Sequence, residues 1–237
     1  MSLARLIQQN IAEIQERVAR AGERSGRSPS EIKILAATKS RSVEEIQIAL
    51  DAGITLIGEN TVQEAKSKFA SLSRSVEKHL IGHLQTNKTK SALELFDCIQ
   101  SVDSLKLVQE IEKCAALLNK KMPVLIEVNI GGEASKFGVA PQFALELVEL
   151  VSKFSHIQIQ GLMTVAPFVS SENARPYFRQ MRTLFDSLKK LPQCEMRWLS
   201  MGMSHDYEIA IEEGANLVRL GTAIFGPRDE SKREISE

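Results

Sequence analysis

The sequence predicts an α/β fold: one closed (β/α)8 TIM barrel with an extra helix at the amino end. Three observations predict it. Short apolar runs of strand length alternate with helical stretches along nearly the whole chain. Eight such runs can be counted. No Pro/Gly/Ser-rich linker divides them. Strict strand–helix alternation demands a parallel sheet with right-handed crossovers, and eight units close it on itself. A doubly wound open sheet is the competing architecture, but no G-x-G-x-x-G follows the first strand.

The elements follow in order. Leu3, Leu6, Ile7, Ile11, Ile14 and Val18 fall at helical spacing, so the chain opens on an amphipathic helix. A Ser-, Gly- and Arg-rich loop over 22–29 ends it. The first strand is 32–38, and its helix, 43–52, opens on Ser42-x-x-Glu45, a capping box. The second pair is 56–58 and 61–72, the third 79–82 and 88–95, the fourth 98–102 and 104–119. The fifth strand, 124–129, is the clearest apolar run; a Gly131-Gly132 loop leads to a helix over 141–153. The sixth pair is 157–163 and 173–188, the seventh 197–199 and 206–213. The eighth strand is 216–219, and no helix is read after it. Residues 1–237 are therefore expected to form a single domain, with 1–28 as its amino-terminal helix and loop and 228–237 as a flexible charged tail.

Composition narrows the function. The chain is 43% hydrophobic and 25% charged, an ordinary globular balance. Thirty basic side chains cancel thirty acidic ones, so no global field favours nucleic acid or an anionic membrane. The apolar runs are too short to span a bilayer, and the first residues show no signal-peptide pattern. Cys98, Cys114 and Cys194 are odd in number and widely spaced, which suggests free thiols and a cytoplasmic protein. Their spacing offers no zinc site, and His79 and His83, four apart, flank a strand end without further ligands, so no metal is expected. Ser200 lacks the G-x-S-x-G setting of a hydrolase nucleophile, so no catalytic residue is assigned.

In a barrel, the residues just after each strand share one mouth. Lys39 follows the first strand directly. A lysine there either reaches into solvent or points into the mouth, where it can lose its proton and form a Schiff base with an aldehyde. Across the mouth, Ser200, Gly202 and Ser204 follow strand seven, and Gly221-Thr222 follows strand eight. Small residues and hydroxyls before a helix either make turns or cradle a phosphate, and barrels often bind phosphate after strands seven and eight. A lysine for an aldehyde and a cup for a phosphate together suggest pyridoxal 5′-phosphate (PLP), the cofactor form of vitamin B6. Arg219, on strand eight, could then face the pyridine nitrogen; the alternative is a salt bridge on the rim. An arginine only donates, so the ring would be a weaker electron sink than one paired with a carboxylate. Met201 could pack on a ring face or simply fill space.

Taken together these residues resemble the pyridoxal phosphate homeostasis protein family (YggS/PROSC/PipY). The matching stretches include Ala37-Thr38-Lys39, Gly58-Glu59-Asn60, His79 through Lys88 and Glu127-Val128-Asn129. Further on come Ser135-Lys136-Phe137-Gly138, Gly161-Leu162-Met163-Thr164, Leu199 through Ser204 and Val218 through Gly226. They run in the family's order across nearly the whole chain; Thr61 stands where the family often has an aromatic. The resemblance implies a barrel like the amino-terminal domain of alanine racemase. It implies that Lys39 carries PLP, that Asn60 lies near it, that Ser200, Gly221 and Thr222 hold its phosphate, and that Arg219 faces its ring nitrogen. Alanine racemase adds a second, β-structured domain with a tyrosine base, and little chain follows Gly226 here.

The expected function is therefore PLP binding that carries or buffers the cofactor and maintains PLP and amino-acid homeostasis, not an enzymatic reaction. Apo PLP enzymes are the expected recipients, and the barrel is expected to stand as a monomer. The alternative is a low-activity PLP-dependent amino-acid racemase, which needs a second acid/base opposite Lys39; the sequence shows none.

Overall fold

The computed structural model describes residues 2–72, 75–191 and 194–227. The tail expected to be flexible, 228–237, lies outside the described residues. The eight strands are β1 (Lys33–Ala37), β2 (Leu56–Glu59), β3 (Glu77–Leu80), β4 (Cys98–Val102), β5 (Met122–Glu127), β6 (Ile157–Met163), β7 (Trp198–Ser200) and β8 (Leu217–Leu220). Each pairs in parallel with the next, and β8 pairs with β1, so the sheet closes as a barrel. The helices are α1 (Leu3–Arg24), α2 (Val43–Asp51), α3 (Val62–Phe69), α4 (Thr89–Leu95), α5 (Leu105–Leu117), α6 (Ala144–Val151), α7 (Ser171–Leu188), α8 (Tyr207–Glu212) and α9 (Thr222–Phe225).

Both faces of the sheet are covered, which is why the strands read as nearly continuous apolar runs. Every residue of β2, β4, β7 and β8 is buried. The period-2 alternation of a strand then splits the core in two. Ile57, Ile99, Val124 and Leu199 face outward and pack with the helices. Leu35, Leu56, Cys98, Leu125, Trp198 and Leu217 face inward and fill the barrel. Two residues further along the same strands, the inward face turns polar: Gln100, Glu127, Ser200 and Arg219 stand above Cys98, Leu125, Trp198 and Leu217. The site is built on that change.

The amino-terminal helix is more than an addition to the barrel. The segment after β8 does form a helix, α9, but of only four residues. That leaves a gap in the helical ring between α8 and α2. α1 packs against α8, α2 and α9 and fills it. Ile7, Ile11, Ile14, Val18 and Ala21 form its buried stripe. Asn10 Nδ2 donates to the carbonyl of Ile224 at 2.9 Å, and Arg24 pairs with Glu212 at 2.7 Å. Each large apolar side chain in the stripe contributes about 1.5–3 kcal/mol of gross transfer free energy.

Several boundaries move relative to the sequence expectation, always toward what the closed sheet pairs. β3 runs 77–80 rather than 79–82, because Leu56 and Ile57 align it with Glu77 and Lys78. β5 ends at Glu127, where the last β6 partner, Met163, ends. β7 includes Ser200, which pairs with Met163 and Leu217 and so lies in the sheet rather than in the loop after it. The Ser42–Glu45 capping box forms as read: Glu45 N donates to Ser42 Oγ and Ser42 N to Glu45 Oε2, at 3.2 and 2.8 Å. The three cysteines are free. Among the described residues no helix is long and apolar enough to cross a membrane, and no cluster of His, Cys, Asp and Glu could hold a metal.

Candidate functional site

Lys39 sits in the turn after β1, half-buried. It continues the inward parity of Leu35 and Ala37, both packed in the barrel interior. Its neighbours are clamped. Thr38 faces outward, is fully buried, and donates to Gly58 O at 3.1 Å and Glu59 Oε1 at 2.7 Å. Lys68, from α3, reaches the same Glu59 oxygen and Thr38 O, both at 2.8 Å, and Glu64 at 2.6 Å. Burial raises the Glu59 carboxyl above its ordinary range, and Lys68 opposes that rise. Ser40, next in the chain, is held at φ 59°, a conformation that costs a non-glycine residue energy, and its N–H donates to Glu64. The turn that carries Lys39 is thus fixed from the helix side of the sheet.

Across the barrel runs a polar chain, exposed at Glu77 and buried from His79 to Arg219. Glu77 binds His79 Nε2 at 2.9 Å, and that hydrogen bond holds its carboxyl below the usual range. His79 Nδ1 lies 2.7 Å from Gln100 Nε2. Ser200 Oγ donates to Gln100 Oε1 at 2.7 Å and accepts from Arg219 Nη1 at 2.9 Å. Arg219 Nη2 donates to Thr164 O at 2.8 Å. The donors have one consistent order. A carboxylate only accepts, so a neutral His79 must give its proton to Glu77 and take one from Gln100. Gln100 then offers its oxygen to Ser200, and Ser200 offers only lone pairs to Arg219. Burial pulls the Arg219 guanidinium down to about 10, although Glu127 and Asp206 hold it up. Among the described residues no carboxylate lies within ion-pair distance of it, so it is an interior residue rather than a rim salt bridge.

The expected site residues separate by face. Ser200 and Arg219 meet inside the barrel, and the Ser200 hydroxyl is committed there rather than free in a loop. Met201, one residue on, faces the other way; its side chain is fully buried in the outer core, and its N–H donates to Leu217 O at 3.1 Å. Gly221 packs against β1, where an added Cβ would lie 3.4 Å from Ala37 O, two residues from Lys39. Thr222 is exposed beside it. The loops after β7 and β8 are tied together by Ser204, whose Oγ accepts the Ala223 N–H at 3.1 Å. Gly202 takes φ 93°, and a Cβ there would lie 2.6 Å from Ala210 Cβ, so glycine is required. Ser204, Thr222 and Ala223 open onto a cleft of about 520 Å³ shared with Asn10 and Arg17 of α1. Asn60, half-buried, sits at the end of β2 with Gly82 against it: a Cβ at 82 would lie 2.3 Å from Asn60 O.

One further group, marked in the sequence only as part of the Glu127-Val128-Asn129 stretch, lies inside the barrel. Glu127 ends β5 on the inward face, only 8% exposed, and its Oε2 has no hydrogen-bond partner. Burial, and then Asp103, push its carboxyl up to about 7, against the pull of Arg219. Its sequence signal was the acidic residue itself, inside an otherwise apolar run. Further out, His83 stacks on Phe137 with centroids 3.8 Å apart. Asn129 staples the 129–136 loop through Glu133 and Lys136.

A closed parallel barrel with a lysine after its first strand and a polar interior above an apolar floor defines the class. The matching family is described as alanine racemase, N-terminal domain, over residues 7–229. A solved alanine racemase from Clostridium difficile 630 has the same fold, with a TM-score of 0.74 at 15% identity, covering 94% of this chain and 56% of that one. The pyridoxal phosphate homeostasis protein of Aquifex aeolicus (strain VF5) is 42% identical over 222 residues, 93% of this chain and 97% of that protein. PipY of Synechococcus elongatus PCC7942, solved with PLP bound, is 32% identical with a TM-score of 0.81, covering 93% of this chain and all of that one. The chain belongs to the pyridoxal phosphate homeostasis protein family within the alanine racemase N-terminal domain class.

Proposed function

We propose that this protein binds PLP in the mouth of a single barrel domain, attached through Lys39, and carries or buffers it for apo PLP enzymes in the cytoplasm. The observation that carries the reading is Lys39, which continues the inward face of β1 from a turn fixed on its other side. The residues present fit the group. Lys39 offers an amine to its aldehyde, and Arg219 offers donors to its ring nitrogen. Gly221 and Thr222 offer small, hydroxylated surroundings to its phosphate, and Asn60 stands on the rim; the Ser200 hydroxyl, committed to Gln100 and Arg219, would support Arg219. When bound, PLP supplies a reversible aldehyde–amine linkage; the chain holds it, orients it and lets it go. The relatives bear the name of a homeostasis protein, not of an enzyme. Absorbance of the purified chain with PLP tests the reading. A band near the visible edge that disappears in Lys39→Ala supports it; no band, or one that survives the substitution, refutes it.

A further inference from the structure

β5 lies half the ring away from β1, so Glu127 faces the mouth from the side opposite Lys39. An unpartnered oxygen on a side chain more than nine-tenths buried is rare in folded proteins and is explained by a ligand, a water or a function. The charged groups around it leave the carboxyl unpaired. Arg219, from β8, directs one Nη1 donor to Ser200 and one Nη2 donor to Thr164 O rather than to Glu127. Asp103, after β4, opposes the charged form of Glu127 and lies 3.9 Å from His83, after β3. Asp206, after β7, acts on Arg219. Lys39 lies across the mouth, and the inward positions at the ends of β6 and β7, Met163 and Ser200, bring no charge.

The inference rests on the reading of the barrel as a PLP site. PLP brings an anionic phosphate and a phenolate. Near either, a second carboxylate in a low-dielectric interior is repelled, whereas a carboxylic acid donates a hydrogen bond. We propose that Glu127 is a ligand-contacting acid, whose neutral carboxyl donates to an anionic oxygen of the bound cofactor. Loading the barrel takes one proton from solvent onto Glu127, with no other bond made or broken at that side chain. Release returns the proton. The balance is set near neutrality because burial already holds the free carboxyl at about 7.

The test uses the full chain. PLP is titrated by absorbance across pH 6–9 against wild type, Glu127→Gln and Glu127→Leu. Relative to either variant, the wild-type apparent Kd should rise by up to about tenfold per pH unit above 7, the slope of one linked proton. Difference infrared spectra of wild type at pH 8 should gain a protonated-carboxyl C=O band on adding PLP, and Glu127→Gln should lack it. Superimposable pH profiles, or no such band, overturn the proposal. Should neither variant fold, the wild-type spectrum decides alone. A wild type that binds no PLP defeats the reading of the barrel itself, whereas PLP bound with no proton signature defeats only the role of Glu127.

Discussion

Glu127 ends β5 and Lys39 follows β1, half the ring away, and burial disfavours the charged form of the Glu127 carboxyl. Its folded value, about 7, lies above the ordinary 4.5. A carboxyl raised on folding favours the folded state below its unfolded value, and that benefit is lost as pH rises through the folded value. Wild type should therefore lose about 3 kcal/mol from this group between pH 4.5 and 8, at about 1.4 kcal/mol per pH unit of displacement. Glu127→Gln removes the titration: its thermal midpoint should equal that of wild type near pH 4.5 and exceed it at pH 8. Equal midpoints at both would contradict the account. Lys39 was legible in the sequence because it immediately follows the first apolar run. Glu127 was not, because the run continues to Asn129, and only the closed barrel fixes where β5 ends and which face it shows.

Among elements, the contact between α3 and the first two strands sets the Lys39 turn. Lys68 lies between Glu59, Glu64 and Thr38 O with little exposure. Lys68→Met would leave Glu59 buried without its countercharge, a loss of about 3–5 kcal/mol. The sign follows from Glu59, whose value is already raised by burial and would rise further without Lys68. The loss should be full at neutral pH and shrink on acidification as Glu59 becomes neutral. Urea unfolding at pH 7.5 and pH 5 measures it, and adding Glu59→Gln should restore part of the stability at pH 7.5. Element types were readable throughout from apolar periodicity, and the Ser42 cap was read at the residue. The function of α1 was not, because filling the place of an eighth helix depends on how short α9 is, and four residues leave no periodic signal.

For the whole molecule, the closed barrel was readable from the count of alternating units, since eight parallel strands have few other arrangements. The polar chain from Glu77 to Arg219 was not readable, because its members lie up to 142 positions apart in a sequence that contains many such side chains. The same chain and Glu127 together argue for carriage over racemisation. Arg219, proposed to face the ring nitrogen, would weaken the electron sink there. A Glu127 that is neutral when the barrel is loaded is no base. L-alanine incubated with the PLP-loaded protein in deuterated water should exchange its α-proton no faster than with free PLP; steady exchange above that control would restore the racemase reading.

Lys39 is proposed to anchor PLP in the mouth of the barrel. Borohydride reduction of the PLP-loaded chain, followed by digestion and mass spectrometry, tests it most directly. One pyridoxyl adduct, on Lys39, is the expected result. An adduct confined to other lysines, or none at all, would contradict it.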